Sequence, residues 1–155
     1  MPPVVTWILI SVFFVLFVCC VIADRNSSSL YTVKFELDHP YRASLGGMHL
    51  SKQDELIWEF PCGRSVGYKV WNIADVGYVE MHTGDAKQTE YYAFRILDRD
   101  RHILKGKYYT PSRRPVYQHA RRTFDVPDEK SLNDVARFVM LYGKNVEKVA
   151  AEEEN

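Results

Sequence analysis

The sequence predicts an α+β fold in which an antiparallel sheet of four to six strands carries a C-terminal amphipathic helix, behind an apolar N-terminal segment. Short aromatic and β-branched runs that end at Gly or Pro recur through the middle of the chain and indicate strands. One run of apolar residues at spacings of three and four, near the C-terminus, indicates a helix. All 20 basic and all 20 acidic residues follow residue 23, which separates an uncharged leader from residues 24–155, the length of one globular domain.

Composition excludes several classes of protein. The formal net charge is zero, 46% of the residues are hydrophobic and 14% are aromatic. These values exclude a disordered tail, a highly charged histone-like binder and a polytopic membrane protein. The charged part is also too short for a nucleotide-binding fold with a second substrate domain.

The leader, residues 1–23, fits two roles. Its apolar run from Val4 to Ala23 ends with small residues at Val21 and Ala23, the pattern of a signal-peptidase site. This pattern predicts removal of residues 1–23 and secretion. The same run reaches across a hydrocarbon layer of ~30 Å, so a retained single-span membrane anchor is the alternative. In both cases we expect residues 24–155 on the lumenal or extracellular side.

The part of the chain that follows the leader contains two predicted strands. Apolar and polar residues alternate from Leu30 to Leu37, which is the period of two of a half-buried strand. Leu56 to Phe60 is a short aromatic run, stopped by Pro61 and Gly63, and is the second strand. The stretch from Val66 to Val79 fits one helical face as well as strands, so both assignments stay open.

A hairpin is predicted in the second half of the chain. Tyr91 to Leu97 and Ile103 to Tyr109 have strand composition, and the charged string Asp98-Arg99-Asp100-Arg101 joins them as a turn. Prolines interrupt the chain after this hairpin. Between them, Val116 to Phe124 fits an edge strand.

The C-terminal helix is the most regular pattern in the sequence. Ser131 is placed to cap its N-terminus, with Asp134 three residues later. We expect its apolar stripe to pack on the sheet. The stripe consists of Leu132, Val135, Val139, Tyr142, Val146 and Val149.

Cysteine and histidine spacing gives no support for a metal site or a cofactor. Cys19 and Cys20 lie in the leader, so Cys62 is alone in the rest of the chain and cannot form an internal disulfide there. We interpret it as a buried small hydrophobe, with an intermolecular disulfide or a nucleophile as alternatives. No CxxC or His-rich spacing indicates zinc. Asn26 begins an Asn-Ser-Ser glycosylation sequon.

A basic stretch with interleaved tyrosines runs from Arg101 to Arg122. It holds seven basic and no acidic residues, whereas residues 124–155 hold eight acidic and four basic ones. Lys and Arg neutralise phosphates and aromatic faces stack on unpaired bases, so the stretch predicts binding of single-stranded RNA or of a protein partner. A charged edge hairpin without a partner is the alternative. The expected contact residues are Lys105, Lys107, Tyr108, Arg113, Arg114, Tyr117, Arg121 and Arg122.

The string Trp58-Glu59-Phe60-Pro61 places a carboxylate between two aromatic residues at the end of a predicted strand. Apolar neighbours raise a carboxyl pKa and suit it to general-base catalysis. This string resembles the small guanyl-specific fungal ribonucleases, whose catalytic Glu lies in an aromatic-Glu-aromatic-Pro strand. The resemblance extends over roughly residues 38–124. It implies that Arg95, which begins a later strand, contacts phosphate, and that Gly106, eleven residues further on, matches a family glycine.

The resemblance also implies an incomplete catalytic set. The family has a catalytic His four residues after that glycine, and here the position holds Thr110, so the general acid is missing. The other family His has its nearest counterpart in His39, in a string of different order. Glu59, Arg95 and His39 are then remnants of a ribonuclease site. A secreted chain of this kind is similar to the ribonuclease-like effector candidates of plant-pathogenic fungi.

Three functional hypotheses follow. The first is a secreted, ribonuclease-like but non-catalytic protein that binds RNA or a host protein through the Arg101–Arg122 stretch. The second is an active ribonuclease that uses Glu59 as base with His39 or His102 as acid. The third applies if the leader is retained, and is a single-span membrane protein whose outer domain is an accessory subunit of a larger complex.

Overall fold

The chain opens with one long helix, α1 (Pro3–Asp38), in the computed structural model, which describes residues 3–63, 65–86, 89–111 and 123–150. The first part of α1, Pro3–Ala23, is long and apolar enough to cross a membrane, and none of it is buried against the rest of the protein. It fits a signal peptide or a membrane anchor. The α+β prediction is confirmed, because antiparallel strands and a second, C-terminal helix follow.

The strands form two sheets. The five-stranded sheet has the order β1-β2-β3-β4-β7, and all its neighbouring strands are antiparallel. Its strands are β1 (Tyr41–Leu45), β2 (Met48–Ser51), β3 (Glu55–Cys62), β4 (Ser65–Asn72) and β7 (Lys107–Tyr109). The four-stranded sheet has the order β8-β6-β5-β9, in which β9 is parallel to β5. Its strands are β5 (Tyr78–Ala86), β6 (Thr89–Leu97), β8 (Phe124–Val126) and β9 (Asn145–Ala150).

One core lies between the two sheets and helix α2 (Glu129–Leu141). Trp58 of the five-stranded sheet meets Phe94 of the four-stranded sheet edge to face, with ring centroids 5.0 Å apart. Trp71 meets Phe124 in the same way at 5.4 Å. Side chains along a strand alternate between the two faces of its sheet. The residues directly before and after each of these four aromatic residues therefore point away from this core. Burial of these aromatic faces is the main source of stability for the arrangement.

The predicted strand from Leu30 to Leu37 is wrong, because these residues form the end of α1. Phe35 is 4% exposed and stacks on Tyr68 with ring centroids 3.8 Å apart, whereas Val33 and Leu37 are exposed. Tyr31 and Phe35 are four residues apart, so they share a helical face as well as a strand face. Alternation over eight residues therefore did not discriminate between the two structures.

The predicted hairpin of residues 91–109 is reduced to one bridge between Leu97 and Ile103. The first strand of the prediction is β6, but the second, β7, pairs with β4 in the other sheet. Gly106 permits this change of sheet. A Cβ atom on Gly106 would lie 2.5 Å from the Val70 carbonyl oxygen, so a larger residue would push β7 away from β4.

The C-terminal helix begins three residues earlier than predicted, and it ends before the last residues of the expected apolar stripe. Asp128, and not Ser131, is the N-cap, since its carboxylate accepts the Ser131 N–H at 2.7 Å. The helix ends at Leu141, where Gly143 adopts a left-handed φ of 73°. Val146 and Val149 consequently lie in β9, because Gly143 reverses the chain before them.

The remaining assignments concern short segments. Val66–Val79, which the sequence left open, contains most of β4, a short 3-10 helix at Ile73–Asp75 and the start of β5. Of the predicted edge strand Val116 to Phe124, residues 116–122 lie outside the described part of the chain, and Phe124 begins β8. Cys62 is half-buried at the end of β3.

Candidate functional site

A cleft with a volume of about 620 Å³ lies beside the string Trp58-Glu59-Phe60-Pro61. Walls of the cleft come from the β1–β2 turn, the end of β3, β7, β8 and the first turns of α2. Its apolar and aromatic lining consists of Leu45, Trp58, Phe60, Pro61, Tyr108, Phe124, Val126, Pro127 and Val135. Ser131, Asp125 and Asp134 add polar groups. The arrangement suits a largely apolar ligand that is oriented by a few polar contacts.

The β1–β2 turn gives the cleft its shape. Gly46 has a φ of 58°, which a two-residue hairpin turn requires at its first position. A Cβ on Gly47 would lie 3.0 Å from the Trp58 ring and 3.2 Å from the Glu59 carbonyl oxygen. Because glycine has no side chain here, the turn packs directly on Trp58, and the Glu59 N–H donates to the Gly47 carbonyl at 2.8 Å.

Lys69 lies under the cleft in the row between Trp58 and Tyr108, its partners on β3 and β7. The residue is 6% exposed, and its ammonium nitrogen is 3.6 Å from the centre of the Tyr108 ring. Burial lowers the pKa of Lys69 to about 8. The aromatic face of Tyr108 partly compensates for the water that the ammonium group has lost.

The carboxylate of Glu59 does not point into the cleft. Trp58 and Phe60 belong to the shared core, so alternation along β3 directs Glu59 to the opposite face of the sheet. The expectation that two aromatic rings flank the carboxylate is therefore wrong. Glu59 Oε2 instead lies 3.0 Å from His49 Nε2, and His49 Nδ1 lies 2.7 Å from Ser44 Oγ.

A second His–Glu pair lies on the same outward face. His39 Nδ1 is 2.7 Å from Glu55 Oε2, and Ser51 donates its hydroxyl to that oxygen at 3.2 Å. The His39 ring stacks on Phe35 of α1, with centroids 4.5 Å apart. These contacts hold the His39 ring in place and join the end of α1 to the start of β3.

The tyrosines between the end of α1 and the five-stranded sheet are partly shielded from water. Burial raises the pKa of Tyr31 to about 12, and it raises the pKa of Tyr41 and of Tyr68. The Tyr41 hydroxyl is buried and has no hydrogen-bond partner within the described residues. The outward face of the five-stranded sheet is thus largely apolar around its two His–Glu pairs.

Arg95 and Glu59 do not meet. Arg95 is on β6 in the four-stranded sheet, where its neighbours Phe94 and Ile96 belong to the shared core, so its side chain points outward. Its Nε donates to Thr123 Oγ1 at 2.8 Å. Glu59 is on the outward face of the other sheet. Thr110, which follows β7, is half-buried.

The predicted RNA contacts are described only in part. Arg101 is engaged by both oxygens of Glu147, at 2.7 and 2.6 Å, and lies over the Tyr78 ring. Lys105 and Lys107 are exposed, and neither has an ion-pair partner in the part of the chain that the structure describes. Tyr108 faces the cleft. Arg113, Arg114, Tyr117, Arg121 and Arg122 lie outside the described residues.

Two further groups have local structural explanations. Asp98, Asp100 and His102 bring potential metal ligands within 4.8 Å of one another on an exposed turn. Asp98 Oδ1 accepts the backbone N–H groups of Asp100 and His102, each at 2.9 Å, so turn formation accounts for the grouping. Asn26 of the predicted sequon lies within α1.

Sequence reasoning missed Ser44, His49 and Lys69. A usable signal was present for the first two residues. Gly46-Gly47 is the composition of a two-residue hairpin turn, and such a turn pairs the residues on its two sides in order, Leu45 with Met48 and then Ser44 with His49. Nothing in the sequence distinguishes Lys69 from an exposed lysine, because its burial depends on β7 pairing with β4.

Comparison of the chain with protein-family models, with characterised proteins and with solved structures finds no match.

Proposed function

We propose that this protein is a single-span membrane protein whose α+β domain binds an apolar ligand in the cleft. The observation that carries the proposal is the continuity of α1, which runs without a break from the apolar segment into the packing of Phe35 on the sheet. The membrane segment and the first element of the domain then belong to the same helix. The domain is held next to the bilayer surface.

The dimensions of α1 support retention of the leader. Pro3–Ala23 has 21 residues, which span ~31 Å at the rise of an α-helix and match a ~30 Å hydrocarbon layer. The Ala23–Asp24 junction lies inside the helix and not in an exposed loop. The side chains of this segment have no protein surface to cover, so a bilayer is the environment that their composition fits.

The cleft supports the binding part of the proposal. Its volume of about 620 Å³ lies in the range of small-molecule sites. Aromatic residues from both sheets line it, and such side chains provide most of the binding energy in apolar sites. A hydrocarbon or aromatic group with a polar end that reaches Ser131 and Asp134 fits this lining.

Fractionation of the native producing cells tests the anchor. We expect the protein to keep its original N-terminus, to sediment with membranes, to resist alkaline carbonate and to be released by detergent. Phe13→Arg, at the middle of the apolar segment, should reduce membrane insertion, because a central Arg costs ~2.5–3.5 kcal/mol. Val33→Arg is the matched control, on an exposed position of the same helix outside that segment. Recovery outside the membrane with an N-terminus at Asp24 would contradict the proposal and support secretion.

The second candidate is the secreted, ribonuclease-like protein that binds RNA without cleaving it. Lys105 precedes strand β7 and Lys107 begins it, and the exposure of both side chains, without an ion-pair partner among the described residues, favours this candidate. Titration of a labelled single-stranded RNA at three salt concentrations tests it, since log affinity should fall with log salt by ~0.7 per phosphate contact. Arg113→Ala with Arg114→Ala should make the slope shallower. Absence of binding at the lowest salt would exclude this candidate.

A further inference from the structure

Ser44, His49 and Glu59 form a hydrogen-bonded chain whose polarity is fixed by its members. A carboxylate only accepts hydrogen bonds, so His49 Nε2 must donate its hydrogen to Glu59 Oε2 across 3.0 Å. In the neutral imidazole Nδ1 is then an acceptor, and Ser44 donates its hydroxyl to it across 2.7 Å. The chain therefore has the order carboxylate, imidazole, hydroxyl, which is the order that activates a serine nucleophile.

The five-stranded sheet holds the hydrogen-bonded chain of Ser44, His49 and Glu59 rigidly. Ser44 pairs with His49 across β1 and β2, and Glu59 is two residues beyond the partner of His49 on β3. All three side chains consequently share one face of the sheet. The Tyr41 ring stacks on the His49 ring with centroids 4.2 Å apart and an angle of 8°, which fixes the imidazole plane.

The nucleophile of this hydrogen-bonded chain is accessible to solvent, whereas its base is shielded from solvent. Ser44 is exposed, and His49 is only 8% exposed. Among the described strands, β1 lies at the edge of its sheet. Leu45 and Met48 close the turn as a hydrogen-bonded pair, so the next pair, Ser44 and His49, is not hydrogen-bonded. The backbone N–H of Ser44 therefore points away from β2, towards the edge of the sheet. A carbonyl that approaches Ser44 Oγ from solvent meets this N–H as a donor for its oxygen.

We propose that Ser44, His49 and Glu59 constitute an esterase site that acts on accessible carboxylic esters. Ser44 Oγ attacks the carbonyl carbon while its proton passes to His49 Nδ1, and the same proton passes to the departing alkoxide as the C–O bond of the ester breaks. Water then attacks the acyl-serine, again giving a proton to His49, which returns it to Ser44 Oγ. The products are the free acid and the alcohol. Glu59 is a positioning residue that keeps Nε2 protonated and stabilises the imidazolium.

The other His–Glu pair on this face provides an internal contrast. There Ser51 and His39 both bind Glu55, so the imidazole does not lie between hydroxyl and carboxylate. The Ser51 hydroxyl also accepts the N–H groups of Gln53 and Glu55, and Ser51 is buried. That group can stabilise the sheet but cannot pass a proton from serine to histidine.

The test uses the full chain in detergent with two probes, a fluorescent fluorophosphonate and 4-nitrophenyl acetate. Ser44 should displace fluoride from the phosphonate and become labelled, and the ester should be hydrolysed. Ser44→Ala should abolish labelling and lower hydrolysis at least ~100-fold, and His49→Gln should lower both rates about as much, in line with the ~10²–10⁴-fold contribution of a general base. Ser65→Ala and Glu55→Gln are the controls and should leave both rates unchanged.

Glu59 requires a readout that a purely structural role would not change. Glu59→Gln should lower kcat ~10-fold and leave KM unchanged, because the imidazolium that forms during the reaction loses its anionic partner. Glu59→Asp, which keeps the carboxylate, should restore most of the wild-type kcat. The proposal is overturned if the wild-type chain is not labelled, if Ser44→Ala is labelled at the wild-type rate, or if Glu55→Gln is as impaired as Glu59→Gln.

Discussion

Lys69 brings a positive charge into a part of the core where aromatic rings surround it. The pKa of Lys69 falls from its ordinary 10.5 to about 8 through burial. Below about pH 8 both the folded and the unfolded chain hold the proton, so the folded state bears the full cost of the buried charge. Between about pH 8 and 10.5 the folded state releases a proton that the unfolded chain retains. The free energy of unfolding should therefore rise with pH in that interval.

We predict that Lys69→Met increases the free energy of unfolding by ~3–4 kcal/mol at pH 7, because the pKa falls from 10.5 to about 8 and each pKa unit corresponds to about 1.4 kcal/mol. The advantage should shrink to below ~1 kcal/mol near pH 10, where the wild-type lysine is neutral in the folded state. Chemical unfolding of both chains in the same detergent at pH 7 and pH 10 measures the difference. Lys52→Met changes an exposed lysine and should give no pH-dependent difference. Equal effects of Lys69→Met at the two pH values would contradict the argument.

At the scale of elements, α1 is attached to the five-stranded sheet by one face of its last turns. Phe35 stacks between the sheet and the end of the helix, whereas Leu37, two residues later, is 76% exposed. In a strand the two side chains would share a face and both would be buried. In the helix only Phe35 contributes to packing.

We predict that Phe35→Ala lowers the free energy of unfolding by ~3–5 kcal/mol, the usual cost of removing a buried phenyl ring. Leu37→Ala should change it by less than ~0.5 kcal/mol, as for other exposed positions. Chemical unfolding of the full chain, followed by tryptophan fluorescence, compares the two variants. Similar losses for both variants would show that residues 30–37 pack as a strand.

The end of α2 depends on one glycine. Gly143 N donates to the Met140 carbonyl at 3.0 Å and Lys144 N to the Val139 carbonyl at 3.1 Å, which is a Schellman C-cap. Its φ is 73°, and a Cβ there would meet nothing within 4 Å, so a substitution strains only the backbone. We predict a loss of ~1–2 kcal/mol in the free energy of unfolding for Gly143→Ala and a smaller one for Gly143→Asn. Thermal unfolding measures both. An unchanged midpoint for Gly143→Ala would contradict this description of the cap.

The sequence predicted those elements whose patterns are local. The N-terminal apolar segment, β3, most of β6 and the body of α2 follow from composition and periodicity. The end of α1 was mistaken for a strand because Tyr31 and Phe35 satisfy both periods. The strand with which β7 pairs was not predictable, since that strand is β4 and lies more than thirty residues earlier in the chain. The pairing of Ser44 with His49 was predictable from the Gly46-Gly47 turn, but the burial of Lys69 follows only from the assembled sheet.

At the scale of the whole molecule, the common core determines which polar groups can act together. It lies between the two sheets and α2, so outward residues of one sheet cannot reach those of the other. Glu59 and Arg95 belong to different outward faces. A ribonuclease that uses a carboxylate base and a phosphate-binding arginine needs both groups at one phosphodiester. The order of these residues along the chain gave no information on their separation in space.

We predict that the full chain has no guanosine-specific ribonuclease activity above background. Glu59 already holds the His49 imidazole, Arg95 lies on another face, and Thr110 provides no group that protonates a leaving alkoxide at neutral pH. Incubation of the purified chain with a guanosine-containing dinucleotide and with a long RNA, followed by product analysis, measures the activity. An Arg95→Ala chain is the control and should be indistinguishable from wild type. Cleavage after guanosine that Glu59→Gln and Arg95→Ala both abolish would require the two residues to approach one phosphate, and the separation of the two sheets by a shared core would then be wrong.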